Sequence, residues 1–251
     1  MSELTVHTFP AMGTVVSLQF RNLKPILTIA ALSAVEARFE ELEQIFSTYR
    51  SDSFISRLNQ GKVVENSTPR DVSVIMDKTD GYHYQTYGYF NVYKPDGSID
   101  PSGIVKSYAI AEAARILECY DVVEYCLNVG GDILVSPIGE WSVGIVDPMD
   151  RQQVLSKVTL SFPFLSIATS GLSERGEHIW GWNPLADEGS RIIQATVISR
   201  DIEFSDVLAT AFIACGTDGL DIFRTTVPYE ALLVTADGQL IATSDYKALL
   251  L

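Results

Sequence analysis

The amino-acid order predicts an α+β fold, with packed helices and mostly antiparallel strands, and three observations carry that reading. In the first half, apolar residues recur at helical spacing with Glu, Arg and Gln between them, most clearly in ILTIAALSAVEARFEELEQIF. From about residue 125 the pattern changes to short Val- and Ile-rich runs separated by turn residues: YCLNVGGDILV, EWSVGIVDP, QQVLSKVTLS, FLSIATSG and RIIQATVISR. Turn chemistry upstream of those runs, Pro95-Asp96-Gly97 in YFNVYKPDGSID, marks a hairpin-like segment.

Taken in order, LTVHTFPAMGTVVSLQF predicts two strands broken at Pro10-Ala11-Met12-Gly13, followed by the long amphipathic helix. The loop STYRSDS leads to a short helix, FISRLNQ, capped by Ser53. TPRDVSVIMDKTDGYHYQTYG predicts a further helix that breaks near Asp80-Gly81. YFNVYKPDGSID is hairpin-like, and a helix follows Gly103. After the strand-rich stretch come a helix in SDVLATAFIACG capped by Ser205, a second in DGLDIFRTT, and a closing hairpin in EALLVTADGQLIAT. No internal repeat, low-complexity tract or linker divides the chain, so residues 1–251 are expected to form one domain.

Composition narrows the function. A chain of 251 residues with 47% hydrophobic and 20% charged residues is an ordinary soluble composition with enough length for a large core. A net charge of −14 disfavours nucleic acid and anionic membrane as partners, because both demand a basic surface. The apolar runs are far short of a membrane span, and MSELTVHTFP has neither a basic nor an apolar signal region, so membrane insertion is not expected and a cytoplasmic location is. The three cysteines, Cys119, Cys126 and Cys215, form no C-x-x-C and read as small core residues.

Four stretches carry candidate chemistry. DPSGIVKSYA, residues 100–109, sets a glycine, a lysine and a serine where a loop enters a helix, which suggests a phosphate site. It is not a P-loop: Val105 stands where the glycine before the lysine belongs, and Gly97 and Gly103 are too far apart. An acidic protein that binds a polyphosphate needs a divalent cation as intermediary, which calls for hard oxygen ligands. Asp206 and Thr210, four residues apart at a helix start, put a carboxylate and a hydroxyl on one face and suit Mg²⁺. On spacing alone the plainer reading wins: Ser205 caps, Asp206 complements the dipole and Thr210 packs. Gly130-Gly131-Asp132 allows either a tight turn or a close backbone approach to a ligand. His178, in the polar loop of SIATSGLSERGEHIW, is a better general-base candidate than His7 or His83, which lie in strand-like and helix-like segments. Serine hydrolases and zincins are disfavoured, since neither G-x-S-x-G nor H-E-x-x-H occurs.

The order of these pieces is more telling than any one of them. AMGT, FSTYRSDSFISRLN, GYFNVY, DPSGIVKSYA, LNVGGDI, WSVGIVDP, ATSGLSERGEHI and SDVLATA follow one another along most of the chain. In this the sequence resembles the FAD:protein FMN transferases, the ApbE-like family. The resemblance implies an α+β fold of two T-fold-like halves and an enzyme that binds FAD and Mg²⁺, cleaves the pyrophosphate and links FMN through a phosphoester to a threonine or serine of an acceptor flavoprotein, releasing AMP. It also implies the site: Asp100 and Lys106 as FAD contacts, with Met12, Tyr49 and Tyr89-Phe90-Asn91 lining the flavin or adenosine pocket. The Gly103 carbonyl, Asp206 and Thr210 would be the Mg²⁺ ligands, and His178, with Ile179 beside it in the family's H-I motif, the catalytic base. Asn91, Ser107, Ala111 and the HIWGWNPLADEG stretch depart from the usual family pattern. The same pocket could instead serve an FAD pyrophosphatase, with water as the attacking group, or a non-catalytic FAD-binding protein.

Overall fold

The structure, a computed structural model, describes residues 4–21, 25–63, 68–171, 191–223 and 227–251. These fall into two compact units, one formed by residues 1–81 and 91–136 and the other by residues 82–90 and 137–251.

In the first unit, β1 (Thr5–Ala11), β2 (Thr14–Phe20), β3 (Tyr125–Val129) and β4 (Asp132–Val135) form an antiparallel run in that order. Strand β1 continues through Pro10, which pairs with Val15, so the break is narrower than the sequence suggests. Proline is tolerated because β1 is an edge strand and the missing N–H breaks no ladder. The turn is Met12-Gly13 alone, both at positive φ (52° and 71°), the backbone that a two-residue hairpin with right-handed twist requires. Gly130-Gly131 makes the β3–β4 turn; at Gly130, with φ 61°, an added Cβ would also fall 2.8 Å from the Thr14 hydroxyl.

Helix α1 (Pro25–Phe46) presents Ala31, Val35, Phe39 and Leu42 inward, the three-and-four spacing of one helical face. It packs on α4 (Ser102–Cys119), which lies against β3 and β4. Inward-pointing Val16, Leu18 and Phe20 of β2 complete this core, each side chain contributing roughly 1.5–3 kcal/mol of burial. Ser53 caps α2 (Phe54–Asn59) as expected, its Oγ accepting the Ser56 N–H at 3.0 Å. Gly103 is the second residue of α4 and does not precede it.

Helix α3 (Arg70–Gln85) runs without interruption through Asp80-Gly81, where the sequence predicts a break, and stops just before Tyr87-Gly88, both at positive φ. An interior glycine costs about 1 kcal/mol; buried Val72, Ile75 and Thr79 on one face hold the helix against that cost.

In the second unit, β7 (Ser166–Gly171), β8 (Ile192–Ser199), β9 (Tyr229–Thr235) and β10 (Leu240–Ala242) are antiparallel neighbours in that order. The pair β5 (Trp141–Val146) and β6 (Val154–Leu160) is separate. Helix α5 (Ile202–Cys215) packs on β7 and β8, and a short α6 (Gly219–Ile222) follows. The predicted α+β class and antiparallel pairing hold throughout both units. Cys126 and Cys215 are buried as expected, but Cys119 at the end of α4 is exposed. Among the described residues no helix is long and apolar enough to cross a membrane.

Helices α1, α3 and α4 are joined by one cation. Arg38 donates to both oxygens of Asp71, at 2.6 and 3.0 Å, and also to Glu41 and Glu112. Burial works to raise the Asp71 pKa, but the hydrogen bonds from Arg38 and Tyr108 and the charge of Arg38 outweigh it and hold the carboxyl below its ordinary value. A depressed carboxyl stabilises the fold above the unfolded pKa of about 3.9 and loses that contribution as pH falls through the folded value. Asp71→Asn should therefore lower the melting temperature near neutral pH, with the gap to the parent closing in acid below about pH 4. Melting curves across that range check it, and a constant gap would show that the contribution is not ionic.

Candidate functional site

The predicted residues divide between the units, and each unit holds its own group. In the first, the Met12 N–H donates to Glu43 Oε2 on α1 at 3.2 Å, which fixes the hairpin tip. Tyr49 is 91% exposed, an aromatic ring offered wholly to solvent. Its loop is nonetheless held, since Ser53 Oγ and Ser56 Oγ both donate to the Ser47 carbonyl. Asn59 also matters, and the sequence reading passed it over. Its amide donates to the Ile99 carbonyl and accepts the Ile99 N–H, at 2.8 and 2.9 Å, so α2 grips the hairpin that delivers Asp100. Asp100 Oδ1 accepts the Ser102 N–H at the start of α4, and Oδ2 lies 3.4 Å from Lys94 Nζ. Asn91 turns inward on its own segment, its Oδ1 accepting the Tyr93 N–H.

One turn into α4, Lys106 is ion-paired with Asp132, whose side chain is 1% exposed. Asp132 follows Gly130-Gly131, and Asn128 Oδ1 accepts the Gly131 N–H at 3.0 Å, so the turn geometry places the carboxylate. The G-G-D run was visible in sequence; what it lacked was the partner, which lies 26 residues upstream. The pairing changes what Lys106 can do. A lysine matched by a buried carboxylate brings little surplus positive charge to an anionic ligand.

In the second unit, Phe90 is 2% exposed, with its ring edge-on to Tyr82, so its side chain serves packing. Tyr89 is half-buried against Phe223, with the Cys215 thiol beside its hydroxyl; that neighbour and burial push the phenol pKa up. Burial likewise pushes the Cys215 thiol up to about 11.

Asp206 and Thr210 share a face of α5, but not at its start. Asp201 is the N-cap, accepting the N–H groups of Glu203 and Phe204 at 2.9 and 3.2 Å. Asp206 is thus the fifth residue of the helix, beyond the first turn where the dipole acts. Ser205, expected as the cap, instead hydrogen-bonds Ser166 and Ser199. Of the fourteen residues of α5, only Thr210 is not buried. After its own burial, the charges of Asp201, Glu203 and Asp206 push the Tyr82 phenol pKa well up, which marks a negative field around this part of the helix. A carboxylate and a hydroxyl one turn apart in a negative field are the hard oxygen donors that Mg²⁺ takes, so the residues fit that ion. No cluster of three or more His, Cys, Asp or Glu suited to a metal occurs among the described residues. His178 and Ile179 lie outside the described residues.

Asp132→Ala should destabilise the fold by about 3 kcal/mol, the lower end for breaking a buried ion pair, because Lys106 keeps some access to water. Urea denaturation measures this, and a loss no larger than a surface pair gives, below about 1 kcal/mol, would show that the pair is not structural.

Comparison with known proteins brings these features under one heading. The FAD:protein FMN transferase of Vibrio cholerae serotype O1 is 22% identical to this chain, over 96% of this chain and 91% of that protein. The solved flavin transferase ApbE from Vibrio cholerae superposes with a TM-score of 0.78 at 20% identity, over 100% of both chains. The ApbE protein of Thermotoga maritima gives 0.79 at 17% identity, over 99% of this chain and 100% of that one. The apo flavinyl transferase ApbE of Pseudomonas stutzeri gives 0.73 at 19%, over 99% and 98%. At such identities the structural likeness is one of fold. The family model of ApbE, however, matches residues 12–95 and 92–233, well over half of the sequence, and the chain belongs to the ApbE family.

Proposed function

We propose that this protein is a Mg²⁺-dependent flavin transferase, which cleaves FAD and attaches FMN through a phosphoester to a threonine or serine of an acceptor flavoprotein, releasing AMP. The observation that carries the reading is the Asp206–Thr210 oxygen pair, one turn apart on a helix buried at every position but Thr210, in a chain matched to the ApbE family along its length. When bound, Mg²⁺ would neutralise pyrophosphate charge and stabilise the leaving AMP. Asp206 and Thr210 are its proposed ligands; the Gly103 carbonyl is added on the family resemblance alone.

The remaining work falls to the chain's own residues. Tyr49 and Met12 offer a flat ring and a polarisable thioether to the aromatic parts of FAD, and Tyr89 a second aromatic face. Phe90 and Asn91 are added as FAD contacts on the family resemblance alone. Asp100 and Lys106 bind the polar parts, and Asp132 holds the Lys106 ammonium in place before ligand arrives. His178 takes the proton of the acceptor hydroxyl as its oxygen attacks the FMN phosphorus and the bridging P–O bond breaks toward AMP. An imidazole with an unperturbed pKa near 6.5 suits that transfer at neutral pH.

Incubating the protein with FAD, Mg²⁺ and an acceptor flavoprotein should raise the acceptor's mass by one FMN moiety, read by mass spectrometry. EDTA or Asp206→Ala should abolish the gain. His178→Ala should keep FAD binding by fluorescence titration but slow transfer by roughly 100-fold or more. FMN and AMP released with an unmodified acceptor would replace the transferase by a pyrophosphatase, and intact FAD would reduce the protein to a flavin binder.

A further inference from the structure

The Thr210 hydroxyl does not take the local backbone partner that Thr79, Thr86 and Ser107 take in and beside α3 and α4. Thr79 Oγ1 donates to the Met76 carbonyl at 2.8 Å, Thr86 Oγ1 to the Tyr82 carbonyl at 2.8 Å, and Ser107 Oγ to the Ile104 carbonyl at 2.9 Å. Each thus bonds back three or four residues along its own chain, the usual local partner of a helical Ser or Thr. Thr210 Oγ1 instead lies 3.0 Å from Ser170 Oγ on β7, forty residues away in sequence.

The register of β7 explains how this comes about. Side chains alternate along a strand, and Ser166, Ala168 and Ser170 share the face toward α5. Ser166 Oγ meets Ser205 Oγ at 3.0 Å, and Ser170 Oγ meets Thr210 Oγ1, so the helix is tied to the strand by a hydroxyl pair near each end. Between the two ties, Ala168 and Ala209 are fully buried, and their small side chains let helix and strand approach. Thr169, facing the other way, pairs with Thr196 Oγ1 on β8. The two ties differ in surroundings. Ser166, Ser199 and Ser205 form a closed, fully buried cluster, whereas Ser170 and Thr210 are both only half-buried. A buried cluster serves packing; a half-buried pair at the edge of a candidate ligand site has a further use.

We propose that Ser170 is a positioning residue for the metal site: its Oγ accepts the Thr210 hydroxyl proton and so turns the lone pairs of Thr210 Oγ1 toward the cation. The proposal rests on the reading of Asp206 and Thr210 as Mg²⁺ ligands. A hydroxyl has one proton and two lone pairs. If Thr210 donated to its own helix, its torsion would be set by the backbone; donating to Ser170 sets it by the strand, on the side where Asp206 also lies one turn away. Hydrogen bonds of this kind, from a ligand to a neighbouring side chain, orient ligands and tune their affinity, and their loss costs roughly 10–100-fold in metal binding. Ser170, being half-buried, has water available for its own proton.

Mn²⁺ titrated into the whole chain without flavin, with the free ion read by electron paramagnetic resonance, tests this. Ser170→Thr and Ser170→Val place side chains of the same shape at a strand position that accepts either, so any difference between them reads the hydroxyl alone. Ser170→Thr should bind Mn²⁺ close to the parent, and Ser170→Val at least about 10-fold more weakly. Equal affinity in the two, alongside lost affinity in Asp206→Ala and Thr210→Val, would overturn the role of Ser170 while the metal reading stood. Unchanged affinity in Asp206→Ala and Thr210→Val would end the metal reading, and the proposal with it.

Discussion

A helix buried on nearly every side has no water to satisfy its polar groups, and α5 is such a helix. Every polar side chain on it must find a partner on a neighbouring element, or its burial would cost a few kcal/mol. That constraint organises the second unit. The first free N–H groups are taken by Asp201, whose backbone N–H is in turn held by Ser199 Oγ. Ser205 closes a ring of hydroxyls with Ser166 and Ser199, which fixes the start of α5 on β7 and β8. With that end pinned, the angular positions of Asp206 and Thr210 follow from helix geometry alone. A helix on the surface could roll by a fraction of a turn at little expense. This one cannot, so Asp206 and Thr210 keep fixed positions.

The first unit meets the opposite problem, charge in place of hydroxyls, and solves it with few cations. Arg38 serves Asp71, Glu41 and Glu112 at once, and Tyr108 adds a hydroxyl donor to Asp71 at 2.7 Å. Lys106 serves Asp132, and Lys94 lies by Asp100. In a chain of net charge −14 this means that the cations near the candidate site already have anionic neighbours before any ligand binds. For the polyphosphate ligand proposed above, such a surface would be repulsive on balance, and a divalent ion would be the electrostatic remedy.

Much of this was legible in the sequence because it is local. The α1 face shows in residue spacing, the Pro95-Asp96-Gly97 turn in residue type, and Ser53 in its position before FISRLN. Errors arose where local rules offered two answers. Asp201 and Ser205 are both good caps, and only Ser166 and Ser199, brought in by the sheet, take Ser205 out of contention. Asp80-Gly81 reads as a stop, but so does Tyr87-Gly88, and packing of the α3 face decides between them. The Asp132–Lys106 and Ser170–Thr210 partnerships were not legible at all. Both join residues tens of positions apart, and no spacing rule reaches that far.

One stretch shows how far order can be built in before a ligand arrives. Thr86 Oγ1 donates to the Tyr82 carbonyl and accepts the Phe90 N–H, at 2.8 and 3.0 Å. His83 Nδ1 donates to the Phe90 carbonyl at 3.0 Å. Both backbone groups of Phe90 are thus held by side chains from the last turn of α3 and the residue after it, while its ring is fixed against Tyr82. Tyr89, between these anchors, has little backbone freedom left and rests its ring edge-on against Phe223. An aromatic surface already in place spares the ligand the entropy of ordering it, which is where preorganised sites gain affinity. His83 is the hinge of that arrangement. Set aside in the sequence because it lies on a helix, it acts through the backbone of the residue beside Tyr89, and a helix is what aims its ring there.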